Sequence, residues 1–364
     1  MKKLILENFE KMKNMSVQEY TLYRKWEEIN QKQWSKDELQ RIWEVQNQIW
    51  RPKSPKDFEK LDPQVVHVND KFTSLTWLVL RVFTHTMPWK INVGRIQRFY
   101  VVNKSDYTFL GIISVASDFV SLKGRDAEIG WSYDQRIKQK MLNYTAMGST
   151  IAPTNPLGYN FVGGKLMALL TASDFVEDTW NKKYKEPIVG ITTTSLYGGY
   201  SQYTRLKYWK KCASTEGKIP LEPNDEVYLQ IREWVKEKYP EDFNKLTKNE
   251  DKILSRPKSR MLFFAYRKLG IKAPENDFSR GVYWCPLYKN TNAFLRQEKK
   301  DLGKKNFDNS VKSLTKLWKE KYARKRVENM VKSDRYNLDT LYYNGMIGLS
   351  WDEAKEKYLG DVGR

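Results

Sequence analysis

Two apolar runs separated by a short polar turn constrain this chain more than any other feature. Residues 96–102 and 109–116 flank Ser105-Asp106 and read as two strands of a β-hairpin. A helix precedes them, carrying Leu75, Trp77, Leu78, Val79, Val82 and Phe83 and closing before Pro88. After them come a strand through Thr150, Ile151 and Ala152, a loop, and a helix with Leu166, Met167, Leu169 and Leu170 on its apolar side. The β-branched stretch 187–195 is a further strand, and 203–211 reads as a basic aromatic helix. The order helix, hairpin, strand, loop, helix, strand, helix predicts an α/β fold, a mixed sheet with helices packed on it.

The flanks read differently. Residues 1–68 form an N-terminal helical extension, with Tyr20, Tyr23 and Trp26 at helical spacing. A capping box at Ser35-Lys36-Asp37-Glu38 opens the helix that carries Leu39, Trp43 and Trp50. These tryptophans are expected to pack rather than to stack on bases. Residues 69–220 hold the α/β core, and 221–364 a basic, mostly helical region ending in a second capping box at Ser350-Trp351-Asp352-Glu353. Residues 316–326 interleave aromatic and cationic side chains on a helix.

Charge selects the partner class. Lys plus Arg number 64 against 44 Asp plus Glu, a formal net charge of +20. Solubility needs only about 2–8, so the excess points to a polyanion, with DNA, mostly double-stranded, as the expected partner. Cys212 and Cys285, with His67 and His85, are too few for a disulfide framework or a His/Cys metal site, so no metal is expected. Glu7 and Glu10 interrupt the apolar start, and no stretch reaches the roughly 18 apolar residues of a membrane span, which predicts a cytoplasmic protein without a membrane partner.

Several landmarks resemble the DruA-like proteins of Druantia anti-phage systems and their phage and mobile-element relatives. The resemblance rests on His85 before Pro88-Trp89, on Arg98-Phe99-Tyr100-Val101, and above all on Gly124-Arg125-Asp126-Ala127-Glu128-Ile129-Gly130-Trp131-Ser132 with Arg136 after it. Tyr200, Tyr203, Trp209 and Glu216-Gly217 follow, and the likeness covers about residues 80–220. The strand order also resembles the GNAT acyltransferase fold and the phage Mom proteins, which modify adenine to block restriction. That second resemblance implies an acyl-CoA-type donor. Its pyrophosphate would rest on the loop and helix start at Gly158, Asn160, Gly163, Gly164 and Lys165.

Acyl transfer to an exocyclic base amine needs a base, an oxyanion donor and a cleft for an extruded nucleobase. His85 is the first candidate base, with Asp118 and Asp126 as alternatives; Ser132 is a hydrogen-bond donor or a helix cap. Thr192, Thr193, Thr194 and Ser195 line a strand end. Tyr200 and Tyr203 are the candidate stacking or proton-donating pair, and Trp131 can stack or fill core. Arg136, Arg205, Lys207, Lys210, Lys211, Arg324, Lys325 and Arg326 are the expected phosphate contacts. The expectation is a DNA-modifying transferase; the rival is a non-catalytic DNA-binding protein of a defence, transposition or virion system.

Overall fold

The computed structural model describes residues 1–84, 94–195, 201–214, 219–248, 257–273, 275–276, 280–337 and 342–359. His85, Tyr200 and Glu216-Gly217 lie outside the described residues. In chain order the helices α1 (Lys2–Lys13), α2 (Val17–Gln31) and α3 (Lys36–Asn47) precede strand β1 (Pro63–His67) and helix α4 (Lys71–Leu80). Strands β2 (Ile96–Asn103) and β3 (Phe109–Ser117), helix α5 (Lys123–Ile129), strand β4 (Thr145–Pro153), helices α6 (Asn155–Phe161), α7 (Gly163–Thr171) and α8 (Asp174–Lys183), and strand β5 (Gly190–Thr194) follow. After β6 (Lys210–Ser214) and β7 (Ile219–Pro220) come α9 (Asp225–Lys238), α10 (Pro240–Thr247), α11 (Pro257–Leu269), β8 (Glu275–Asn276) and β9 (Gly281–Pro286). Helices α12 (Thr291–Leu295), α13 (Val311–Trp318), α14 (Arg324–Lys332) and α15 (Trp351–Tyr358) close the chain.

Among the described residues, seven strands form one sheet in the order β1-β2-β3-β4-β5-β9-β6. Every neighbouring pair is antiparallel except β4 and β5. Strand β3 sits deep in the sheet and is buried along almost its whole length, because helices cover both faces. On one face Leu166, Met167, Leu170, Trp180 and Trp318 from α7, α8 and α13 pack on Phe99, Ile113 and Val115. On the other, Leu22, Ile42, Trp77 and Tyr358 pack on Val102, Ile112 and Ala152. Removing such side chains from water contributes about 2–3 kcal/mol each, which fixes the two-sided packing.

Local signals act where they were expected to. Ser35 and Glu38 form a reciprocal capping box at α3, and Ser350 and Glu353 another at α15. The hairpin is β2–β3, with Ile96 opposite Ala116. The fold is thus mixed α/β with a mostly antiparallel sheet.

Three expectations change. Residues 203–211 are not a helix: they run through successive turns into β6, because Arg205 and Tyr208 take left-handed backbone angles, φ 56° and 75°. Trp50 lies beyond α3 and fills core with Phe161. The sheet also reaches past 69–220, since β1 lies in the N-terminal range and β9, inserted between β5 and β6, in the C-terminal one.

Candidate nucleic-acid interface

The glycine-tryptophan-serine segment folds into a buried knot of charge. Helix α5 turns Arg125 inward, where its side chain is wholly buried. Its guanidinium bonds Asp118 at 2.8 Å, Asp126 at 2.6 Å and the Phe119 carbonyl at 2.9 Å. Arg136 also pairs with Asp126, and the Trp131 indole N–H donates to Asp126 at 3.0 Å. Thr192 on β5 donates to the second Asp118 oxygen at 2.9 Å. Two carboxylates and two guanidiniums cancel in the low dielectric, and their lone pairs are largely used. Asp118 therefore has both oxygens engaged, while Trp131 is only 6% exposed. Ser132 accepts from the Gln135 N–H at 3.1 Å and caps the turn that follows.

Strands β4 and β5 pair through Thr145–Gly190, Ala146–Ile191 and Met147–Thr192. Past this point the segment after residue 200 supplies partners for β4: Gln202 Nε2 donates to the Ile151 carbonyl at 2.9 Å and to the Tyr203 hydroxyl at 2.9 Å. Thr193 donates to the Gly148 carbonyl at 2.9 Å, and Ser195 accepts from the Gly281 N–H at 2.8 Å. Tyr203 is buried between Trp209 and Tyr283, and burial pushes its hydroxyl up to about 12.

The five expected cofactor residues are split between α6 (Gly158 and Asn160) and the start of α7 (Gly163, Gly164 and Lys165), and the protein's own chain lies against them. A Cβ on Gly164 would stand 2.2 Å from Gln202 Oε1, and one on Gly163 2.5 Å from Leu157 Cγ, so both glycines serve close packing. Gly158 lies against Pro153. Asn160 is 2% exposed and shares two hydrogen bonds with the Asn337 backbone. Lys165 Nζ donates to the carbonyls of Gln202 at 3.0 Å and Thr204 at 2.6 Å, and burial lowers its ammonium to about 8. Between α6 and α7, Val162 takes φ 48°, a strained angle for a β-branched residue.

Beyond this loop the two basic segments meet. The Tyr322 hydroxyl accepts from the Lys207 N–H at 2.8 Å and donates to the Arg205 carbonyl at 3.3 Å. The ammonium groups of Lys165 and Lys321 lie 5.2 Å and 5.8 Å from the Tyr322 ring centroid. Arg205, Lys207, Lys321, Arg324 and Lys325 are all exposed, and Arg326 lies over the Tyr159 ring. Lys210 and Lys211 continue the line on the edge strand β6, where Lys210 pairs with Glu128 at 2.7 Å. Sequence reasoning named both segments but not Tyr322, whose role depends on a contact across 117 residues. Among the described residues no group of three His, Cys, Asp or Glu side chains is placed to hold a metal ion, and no helix is long and apolar enough to cross a membrane.

The profile of the family described as Druantia protein DruA matches residues 12–297. The chain belongs to the DruA family. The match extends well beyond the stretch that carried the resemblance, taking in β9 as well as the charge knot. A curated relative, Druantia protein DruA of Escherichia coli (strain UMEA 4076-1), is 26% identical over 202 residues. The aligned stretch covers 49% of this chain and 49% of that protein, so it spans about half the length of the relative. No solved structure matches significantly.

Proposed function

We propose that this DruA-family chain works in anti-phage defence in the bacterial cytoplasm by gripping the phosphates of DNA through the face built around Tyr322. One observation carries the reading: a single hydroxyl holds residues 205–207 against the helix pair that bears Lys321 and Lys325. Two cationic segments distant in sequence thereby become one surface, the footprint expected of a phosphate-binding protein. DNA is the ligand that the charge excess favours. The test is a binding series at rising salt. Neutralising Lys207, Lys321 and Lys325 to Gln should lower the slope of log K against log salt by about 2–3, roughly 0.9 per phosphate contact. The same number of substitutions on α1, at Lys2, Lys3 and Lys13, should leave it unchanged. Equal effects of the two sets would mean that the charge is dispersed and the reading wrong.

A second reading is favoured by the sheet. The order β1-β2-β3-β4-β5-β9-β6, with its one parallel pair ending after three registers, suits a GNAT-like transferase that modifies a base with an acyl-CoA-type donor. In that reading the first turn of α7 takes the donor once the Gln202 side chain withdraws from Gly164, and Tyr203 serves as proton donor. Mass spectrometry of nucleosides from DNA co-expressed with the protein tests it. Unmodified bases, with the donor supplied, would remove the transferase and leave the phosphate grip standing.

A further inference from the structure

We propose that Tyr208 is a stacking platform for an unpaired nucleobase, so that the face around Tyr322 holds single-stranded DNA at this point. The proposal rests on the phosphate-gripping reading and adds the state of the strand. Its starting point is the turn series between Gln202 and β6. Tyr203, Leu206 and Trp209 point inward at 5%, 3% and 5% exposure, while Arg205 and Lys207 face solvent and Tyr208 is partly buried beside them. The backbone reaches this arrangement only by setting Arg205 and Tyr208 in the left-handed region. Non-glycine residues there are strained, and such strain persists where the surroundings enforce it. Here Lys165 holds the carbonyls of Gln202 and Thr204, Tyr322 holds the backbone of Arg205 and Lys207, and the Trp209 indole donates to the Ala168 carbonyl at 3.2 Å. A loop fastened at so many points displays its outward side chains in a fixed orientation.

The ring that it displays lies flat. Tyr208 stacks on Phe307 with centroids 3.9 Å apart and planes 9° from parallel, unlike the tilted contacts that Tyr203 makes with Trp209 and Tyr283. Phe307 is itself 8% exposed and backed by core, so it fixes the plane of the tyrosine from below. The Lys207 ammonium lies over the ring, 5.1 Å from its centroid. Lys299, Lys300 and Lys304, from the loop that carries Phe307, are exposed as well. A flat aromatic ring beside an exposed lysine, next to other exposed cations, is the chemistry that binds a base by its π-face and the adjoining phosphate by charge. A duplex offers no base face to such a ring, because its bases are stacked on one another; an unpaired strand does.

The experiment compares three labelled probes of equal length on the intact wild-type chain at one salt concentration: oligo-dT, its abasic analogue, and a duplex. Fluorescence anisotropy should show oligo-dT binding about tenfold or more tighter than the abasic strand. Tyr208→Leu, which keeps apolar volume but has no π-face, should erase that preference while leaving abasic and duplex binding unchanged. Tyr208→Trp should preserve it and show indole quenching with oligo-dT alone. Equal binding of dT and abasic strands by the wild type, or an equal loss on all probes in Tyr208→Leu, overturns the platform and leaves the phosphate grip intact. Absence of binding to every probe overturns both. The wild-type comparison needs no variant, and thermal melts show whether each variant is folded.

Discussion

Removing the Arg125 guanidinium tests whether the segment around it, inside the stretch that matches the family, is a strut. In the native protein this side chain is wholly buried and touches Asp118, Asp126 and the Phe119 carbonyl. Arg125→Met keeps most of the volume but leaves the Asp118 carboxylate, equally buried, with the Thr192 hydroxyl and the Phe119 N–H as its partners among the described residues. Asp126 fares better, since Arg136 and the Trp131 indole still hold it. The cost is therefore set by one stranded charge, about 3–5 kcal/mol for a buried pair broken on one side. Adding Asp118→Asn removes that charge and should recover about 2 kcal/mol or more, because a neutral amide can still accept from Thr192. Urea unfolding followed by tryptophan fluorescence reads both numbers, provided that the denaturant slope is unchanged. A loss below about 1 kcal/mol in Arg125→Met, or no recovery in the double variant, would refute the strut, since burial and pairing would then not set the cost. A stable Arg125→Met that had lost the proposed DNA binding would point to a direct role of the motif instead.

Gly164→Ala should cost about 1–3 kcal/mol, because its Cβ would meet Gln202 Oε1 at 2.2 Å, and Gln202→Ala in the same chain should relieve it; a melt in which the double variant is no better would contradict the close approach. Tyr322→Phe removes the hydroxyl that fastens residues 205–207 and should cost about 1 kcal/mol with a several-fold loss of DNA affinity; unchanged affinity would mean that the face does not need its clasp. Lys25 is fully buried, donates to the Arg81 carbonyl, and has its ammonium lowered by burial from 10.5 to about 8. The unfolded chain therefore binds the extra proton between pH 8 and 10.5, so a penalty of about 3 kcal/mol is present below pH 8 and fades as pH rises through that window. Lys25→Met should flatten this rise in stability, and parallel curves for the two proteins would contradict it.

What the sequence showed, it showed through short-range chemistry. The hairpin is legible because its two strands are joined by a short turn, and α3 and α15 because Ser35–Glu38 and Ser350–Glu353 satisfy amides three residues away. The series 202–209 misleads for a physical reason. Its buried residues Tyr203, Leu206 and Trp209 recur every three positions, close enough to the 3.6 of a helix to imitate one. What breaks the imitation is the backbone at Arg205 and Tyr208, which no side-chain pattern announces. Strand β9 was missed because its partners β5 and β6 lie some seventy to ninety residues upstream in the chain, and a six-residue apolar run among helices says nothing of that. The site shares this difficulty: its two halves were readable as basic segments, whereas their union depends on one tyrosine hydroxyl.

Family membership and the proposed activity rest on different parts of the molecule. The charge knot of Asp118, Arg125, Asp126 and Arg136 lies inside the matched stretch, is buried, and is close to neutral as a unit. Such a knot fixes α5 against β3 and β5 but presents little charge to solvent. The cationic face straddles the end of that stretch: Arg205, Lys207 and Tyr208 fall within 12–297, while Tyr322, Lys321 and Lys325 fall beyond it. Since Tyr322 is the clasp, the match that places the chain in its family carries no information about whether the face is assembled. Residues 311–332 supply one wall of the grip and the Tyr322 hydroxyl that holds the backbone beside Tyr208, and through Trp318 they also pack on the sheet. The strain at Arg205 and Tyr208 is thus enforced partly from residues beyond the matched stretch. The display of Tyr208 is a property of the whole chain, because Phe307 beneath its ring and Tyr322 beside its backbone both lie beyond residue 297.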